Sequence, residues 1–186
     1  MSEKLIQAIQ SINKFSSVEI DFFLSNLQEV RIEKGNHFLE EGQVSHYLGF
    51  IESGIGMHYR IFDGLEIPSD FTVENEWLGH LNSFTNGTPS ELNIKLLEDT
   101  RMLRLSAEGF QRVFEFQPKF MLLKNYYTER SFLKTTRHTA DLAMLTAKQR
   151  YYKFLEDRPD LVNRVPQYYI AAYLGIKPQS LSRIRK

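Results

Sequence analysis

Hydrophobic and polar positions follow two different periods along this chain. Over residues 4–27 apolar side chains recur at helical spacing, with Leu5, Ile6 and Ile9 on one face, and Ser17 is placed to cap a second segment, SVEIDFFLSNL. From Val30 to Leu105 the period shortens to that of strands. VRIEKG, HFLEEG, YLGFIESG, GMHYRIFDG, LEIPSDFTV, EWLGHL, ELNIKLL and RMLRLS succeed one another, separated by Gly, Asn, Asp and Pro. Eight short runs with that punctuation predict an antiparallel sandwich or roll rather than a parallel sheet. No fixed-period repeat and no low-complexity linker interrupts them.

Helical spacing returns at Ser106, where SAEG opens a segment ending near Phe116. Pro118 then sits in the first turn of a longer helix reaching about Leu145. Its apolar positions, Phe120, Leu123, Tyr127, Phe132, Leu133, Leu142 and Leu145, form a stripe wide enough to pack on two surfaces. Residues 147–186 predict three or four short helices, broken at Pro159, at Val165-Pro166 and at Gly175.

The closing stretch, IAAYLGIKPQSLSRIRK, carries the most chemistry. In the segment from Gln167, Ile170, Ala171 and Leu174 share a face, and Gly175 falls where a helix ends with a left-handed residue. Pro178 fits the first turn of a new helix, because its missing N–H is unneeded there. At 100° per residue, Leu181 and Ile184 turn inward while Gln179, Ser182, Arg183 and Lys186 project from the opposite face. Arg can bind guanine O6 and N7 with two prongs, Gln can do the same for adenine, and Ser or Lys can hold phosphates. The pattern therefore predicts a DNA-reading pair, in which the second helix enters the major groove and the first lies across the backbone. The plainer reading of the same residues is a basic amphipathic hairpin that only packs on the body.

Charge sharpens that picture. Residues 147–186 hold nine Lys or Arg against three acids, a net +6 that leaves −6 on residues 1–146 of a chain neutral overall. A basic segment on an acidic body is the footprint of a nucleic-acid module joined to something else. The remaining composition, 42% hydrophobic and 25% charged, is that of an ordinary globular protein. No leader-like segment opens MSEKLIQAIQ, and no run approaches the roughly 18 apolar residues of a membrane span, so a cytoplasmic protein without a membrane partner is expected.

Cysteine is absent, which removes disulfides, thiolate nucleophiles, zinc–thiolate sites and cysteine-ligated iron–sulfur clusters together. The histidines at 37, 46, 58, 80 and 138 include no His-x-His pair and no HExxH helix, so a metalloenzyme is not expected. Haem would need an axial ligand, for which His58 or His80 could serve; a lone histidine in a β-rich segment is more often structural. GxSxG and the Gly-rich phosphate loops are missing. No enzyme, cofactor or metal is expected.

The whole plan resembles the CRP/FNR family of bacterial transcription regulators. Its most specific element is the terminal IAxxLGxxxxxxSR pattern, carried by Ile170, Ala171, Leu174, Gly175, Ser182 and Arg183. The resemblance implies an α+β fold: an N-terminal antiparallel β-roll of jelly-roll type flanked by helices, a long dimerisation helix and a C-terminal helix-turn-helix domain. The corresponding boundaries are 1–117 for a cyclic-nucleotide-binding-like sensor, 118–145 for the dimerisation helix and 146–186 for the DNA-binding domain. It also places Pro178, Gln179 and Arg183 at base-reading positions and Lys177 and Ser180 at backbone contacts. The implied partners are double-stranded DNA, a second copy of the chain through the 118–145 helix, RNA polymerase and a small-molecule effector of unidentified chemistry. The sequence as given reaches Lys186 without the β-hairpin wing found in most members, so the phosphate contacts of a wing are not expected.

The roll departs from the resemblance at a decisive place. Cyclic-nucleotide-binding members begin a short helix with Gly-Glu and carry an Arg ten positions after that Glu; the Glu holds the ribose and the Arg neutralises the phosphate. Here GHLNSFTNGTPSEL aligns with that cassette without gaps, and Gly79 is followed by His80, while Ser90 and Glu91 stand where the Arg and its small neighbour would be. A buried phosphate monoanion needs a paired cation or several donors. Ser90 could offer one neutral hydrogen bond and Glu91 would repel the phosphate, so ordinary cyclic-AMP binding is not expected. The resemblance sets Thr135 and Thr136 at the place on the long helix where the family touches the adenine; the simpler reading is that two helical hydroxyls bond their own helix carbonyls.

Two functions follow. One is a homodimeric regulator reading a pseudo-palindromic site, with a degenerate effector pocket. The other is a ligand-binding or protein-interaction β-roll whose C-terminal helices no longer bind DNA specifically.

Overall fold

The computed structural model describes residues 3–185. The chain divides into two compact units: the residues up to His58 together with Phe71–Glu129, and Tyr59–Asp70 together with the residues from Arg130 onward.

In the first unit two helices, α1 (Glu3–Ile12) and α2 (Ser17–Ser25), precede the strands. The cap of α2 is Ser16, one residue before the Ser17 that the sequence suggests. The reason is Glu19: it stands three residues after Ser16 and closes a capping box, its carboxylate accepting the Ser16 N–H at 2.7 Å. That bond, with others from the Ser16 hydroxyl, Lys119 and Gln117, holds the Glu19 carboxyl well below the usual carboxylate range.

All eight runs read from the sequence are strands: β1 (Leu27–Ile32), β2 (His37–Leu39), β3 (Tyr47–Ser53), β4 (Gly56–Phe62), β5 (Leu65–Thr72), β6 (Trp77–Leu78), β7 (Asn93–Leu96) and β8 (Thr100–Ser106). They form two four-stranded sheets, ordered β1-β8-β3-β6 and β2-β7-β4-β5. The β1–β8, β3–β8, β3–β6 and β2–β7 pairs are antiparallel. Side chains of period two serve both faces of the first sheet. Ile51, Leu78 and Met102 join Leu39, Ile94 and Leu96 of the second sheet in one core. Their neighbours Phe50 and Leu103 instead pack with α1, α2, α4 (Ala107–Phe116) and the start of α5 (Met121–Met144) in another. Ser106 caps α4 through Gly109 N–H, and Pro118 begins a single 3-10 turn that leads into α5.

The turn joining β4 to β5 is Asp63-Gly64, both at positive φ (50° and 74°), the conformation a two-residue hairpin needs. The tip of this hairpin belongs to the second unit. There the Tyr169 hydroxyl donates to the Glu66 carboxylate, and Lys134 pairs with Asp70 at 2.6 Å. The unit also contains the second half of α5, then α6 (Ala147–Asp157), α7 (Gln167–Tyr173) and α8 (Pro178–Ile184). Thr146 and Gln149 form a capping box at α6. Phe154, Leu161, Val165, Ile170, Leu174 and Leu181 are buried in this unit, each contributing about 1.5–3 kcal/mol relative to exposure.

Candidate functional site

The pair that the sequence predicts to read DNA is built from two short helices and the turn between them. Ile170 and Ala171 are buried on α7, and Leu174 and Leu181 are buried beyond it. Gly175 lies at φ +63°, with its N–H donating to the Ala172 carbonyl and the N–H of Ile176 donating to the Ala171 carbonyl, both at 3.0 Å. This pair of bonds is a Schellman ending, and the left-handed residue it requires is the glycine the sequence supplies. Lys177 stands at the N-cap position of α8 without a side-chain cap bond, and Pro178 occupies its first turn. Lys177, Pro178, Gln179, Ser180, Ser182 and Arg183 are all exposed, with Leu181 the buried anchor beneath them. Gln179 and Arg183 stand one helical turn apart and face the same way. Ile184 is half-buried and Arg185 adds a further exposed cation. Lys186 lies outside the described residues.

In the roll, α3 (Leu81–Asn86) opens after Gly79 and closes on a left-handed Gly87. Gly79 itself has φ +156°, and a Cβ there would collide with the Leu48 side chain. His80 stands at the N-cap of α3 without capping it through its side chain. Its ring instead reaches Ser90, Nδ1 to Oγ 3.0 Å. The Ser90 hydroxyl donates to the Leu92 carbonyl at 2.7 Å and accepts the Leu92 N–H at 3.3 Å. With its only hydrogen committed to Leu92, Ser90 must accept from His80, which fixes the proton on Nδ1. One donor and two acceptor positions are then all occupied.

The neutral hydrogen bond that the sequence suggests Ser90 could offer to a phosphate is therefore already in use. Ser90 is also 3% exposed, and its backbone bonds both ways to the loop of Gly42 and Gln43. The two residues that the resemblance sets at the Glu and Arg of the cassette thus bond each other, whereas Glu91 is exposed beside them. Thr135 and Thr136 are exposed on α5, in the unit that holds the reading pair. The Thr135 carbonyl accepts the Thr139 hydroxyl at 3.0 Å.

Several side chains of the second unit escape sequence reasoning. His138 stacks on Tyr173 with ring centres 4.0 Å apart and planes 4° from parallel. Burial holds the His138 imidazole below its usual pKa and pushes the Tyr173 and Tyr169 hydroxyls up, so Tyr169 remains a donor to Glu66. Arg150 reaches three carbonyls, of Leu142, Leu145 and Leu174. None of these partnerships leaves a local signature, because the partners are separated by 5 to 103 residues and carry no shared period. Among the described residues no cluster of His, Asp and Glu could hold a metal ion, and no helix is long and apolar enough to cross a membrane.

Residues 29–116 match the family model described as a cyclic nucleotide-binding domain. No curated protein matches the chain by sequence. Among solved structures, the c-di-GMP-responsive global regulator CLP of Xanthomonas campestris is 18% identical, covering 91% of this chain and 89% of its own, with a TM-score of 0.74. FixK2 of Bradyrhizobium japonicum is 17% identical over 86% of this chain and 82% of its own, with a TM-score of 0.76. A protein of Eubacterium rectale, described as a transcriptional regulator of the CRP/FNR family, is 17% identical over 91% and 82%, at 0.69. At such identities the likeness is one of fold, and it spans both units. Residues 29–116 thus resemble a cyclic nucleotide-binding domain, and the chain as a whole shares its fold with solved CRP/FNR regulators.

Proposed function

We propose that this protein is a DNA-binding transcription regulator of the CRP/FNR type, acting as a homodimer on a pseudo-palindromic site and not as an enzyme. The observation that carries this reading is the outer face of α8. Lys177, Gln179, Ser180, Ser182 and Arg183 are exposed together on a helix anchored by Leu181, in a stretch without a single acid from Leu161 to Arg185. Such a face offers two-pronged base contacts from Gln and Arg and phosphate contacts from Lys and Ser. The dimer reading draws on α5, where Leu122, Tyr126 and Leu133 remain exposed at helical spacing and Phe132 is 67% exposed. Each recognition helix would enter a major groove one helical turn from its partner.

The roll would not take cyclic AMP in the family's manner, since His80 and Ser90 bind each other and a neutral Ser90 stands where the resemblance sets the Arg. An effector, if one acts here, would be an uncharged or cationic molecule that tolerates His80, Ser90 and Glu91. RNA polymerase would be the further partner of a regulator that activates.

Fluorescence anisotropy with a pool of random duplexes tests the function. Binding is expected to weaken steeply as salt rises, because the basic segment displaces counterions from phosphates. An absence of salt-sensitive binding up to about 100 µM, beyond typical nonspecific affinities, would leave the interaction-only roll as the better description. Calorimetry with cyclic AMP and cyclic GMP is expected to show no heat of binding, and micromolar affinity for either would refute the account of the cassette.

A further inference from the structure

Arg150 sits on α6 and reaches the ends of two other helices. Its Nε donates to the Leu174 carbonyl at 2.8 Å, and Nη1 donates to the Leu145 carbonyl at 2.6 Å and, at greater length, to the Leu142 carbonyl at 3.4 Å. Leu142 and Leu145 close α5, and Leu174 closes α7. The last carbonyls of a helix lack internal partners and carry partial negative charge. One planar guanidinium therefore serves two helix ends at once, which the compact ammonium of a lysine cannot do with the same geometry.

The joint is close as well as polar. A Cβ on Gly175 would lie 3.2 Å from Leu142 Cδ2 and 4.0 Å from Arg150 Nη2, so the turn of the reading pair rests against the end of α5. Lys153 pairs with Asp141 at 2.6 Å, and His138 stacks on Tyr173, so α5 meets α6 and α7 at two further points. Of these ties only Arg150 bonds the turn itself.

We propose that Arg150 is a positioning residue for DNA reading: it fixes the direction of the reading pair on the end of α5, and so the separation of the two recognition helices in the dimer. The inference rests on the dimeric DNA-reading function proposed above. Its physical content lies in the difference between one site and two. A half-site engages one reading pair and is indifferent to where the other points. A full site gains affinity from the second pair only through its effective concentration at the second half-site, and that concentration falls when the joint swings freely.

Duplexes selected from a random pool with the unsubstituted protein supply the probes, each tested whole and cut to a half-site. For Arg150→Gln, half-site affinity is expected to stay within about twofold, while full-site affinity falls by about tenfold or more. Arg150→Lys, which keeps the charge but can satisfy one helix end, should fall between. Equal loss on both duplexes, or loss on neither, would overturn the proposal.

A second measurement needs no DNA. The chain has no cysteine, so nitroxides at Arg137→Cys and Ser180→Cys, diluted with unlabelled chains, report the distance between α5 and α8. Arg150→Gln should broaden a narrow distance distribution, with helix content by circular dichroism unchanged. An unbroadened distribution sinks the proposal even if DNA binds. Selection that recovers no duplex while the distribution does broaden would refute the DNA-reading function and leave the joint in place.

Discussion

Replacing Gly175 with Ala isolates the physical requirement at the centre of the reading pair. The residue sits at φ +63°, where the Cβ of an L residue meets the following carbonyl at a cost of about 1–2 kcal/mol, which Asn or Asp offset in part by hydrogen bonding locally. The new Cβ would also stand 3.2 Å from Leu142 Cδ2. Leu142 is 40% exposed and can move by a few tenths of an ångström, so the contact should add little. The loss should therefore be about 1–2 kcal/mol, a roughly 5–30-fold rise in the open population of the turn.

The amides of Gly175 and Ile176, bonded to Ala172 and Ala171 at 3.0 Å, report that population directly by native-state hydrogen exchange. Gly175→Asn should lose less than half as much, because Asn tolerates the left-handed region. Unchanged protection in Gly175→Ala would refute the conformational reasoning. Equal losses for Ala and Asn, both relieved by Leu142→Ala, would show that contact with α5 and not φ sets the requirement.

Other outcomes follow from the same geometry. Ser90→Ala removes an acceptor for His80 and for the Leu92 amide and a donor to the Leu92 carbonyl. It should destabilise the first unit by about 1–3 kcal/mol in urea unfolding followed by Trp77 fluorescence, and a neutral result would mean that His80 does not depend on it. His138 is held below its usual pKa of 6.5 by burial, so the unfolded chain binds the proton more readily. Its contribution to stability is full above about pH 6.5 and is lost as pH falls below that value. His138→Phe, which retains a ring for Tyr173, should flatten the decline between pH 7 and 5 in denaturation midpoints; a slope as steep as before would assign the dependence elsewhere. Arg183→Ala should weaken binding to a selected duplex by about 1–3 kcal/mol and relax preference at one base, whereas equal loss on every sequence would make Arg183 a phosphate contact.

Much of this was legible in the chain because the signals are local. Gly, Asn and Asp between apolar runs mark eight strands because turns need residues that tolerate positive φ, as Asp63-Gly64 and Gly175 do. Periodicity also places Leu181 inside and Gln179, Ser182 and Arg183 outside, because one helical face must be anchored. The cap of α2 is misread by one residue, since Ser16 and Ser17 are equivalent until the reach of Glu19 chooses between them. What hydrogen a hydroxyl gives away is not encoded in a pattern of apolar positions, so the saturation of Ser90 is visible only in three dimensions. The same holds for Arg150, whose Leu174 acceptor is 24 residues away and is a backbone atom without sequence identity.

The hairpin that joins β4 to β5 gives the second unit an unusual schedule of manufacture. Glu66 is translated 103 residues before the Tyr169 hydroxyl that binds it, and Asp70 leaves the ribosome well ahead of Lys134. A fragment beginning at Arg130 would carry both of these donors and neither acceptor. The second unit is thus finished by a piece of chain made long before the rest of it, and cutting the protein at a single point cannot release it whole.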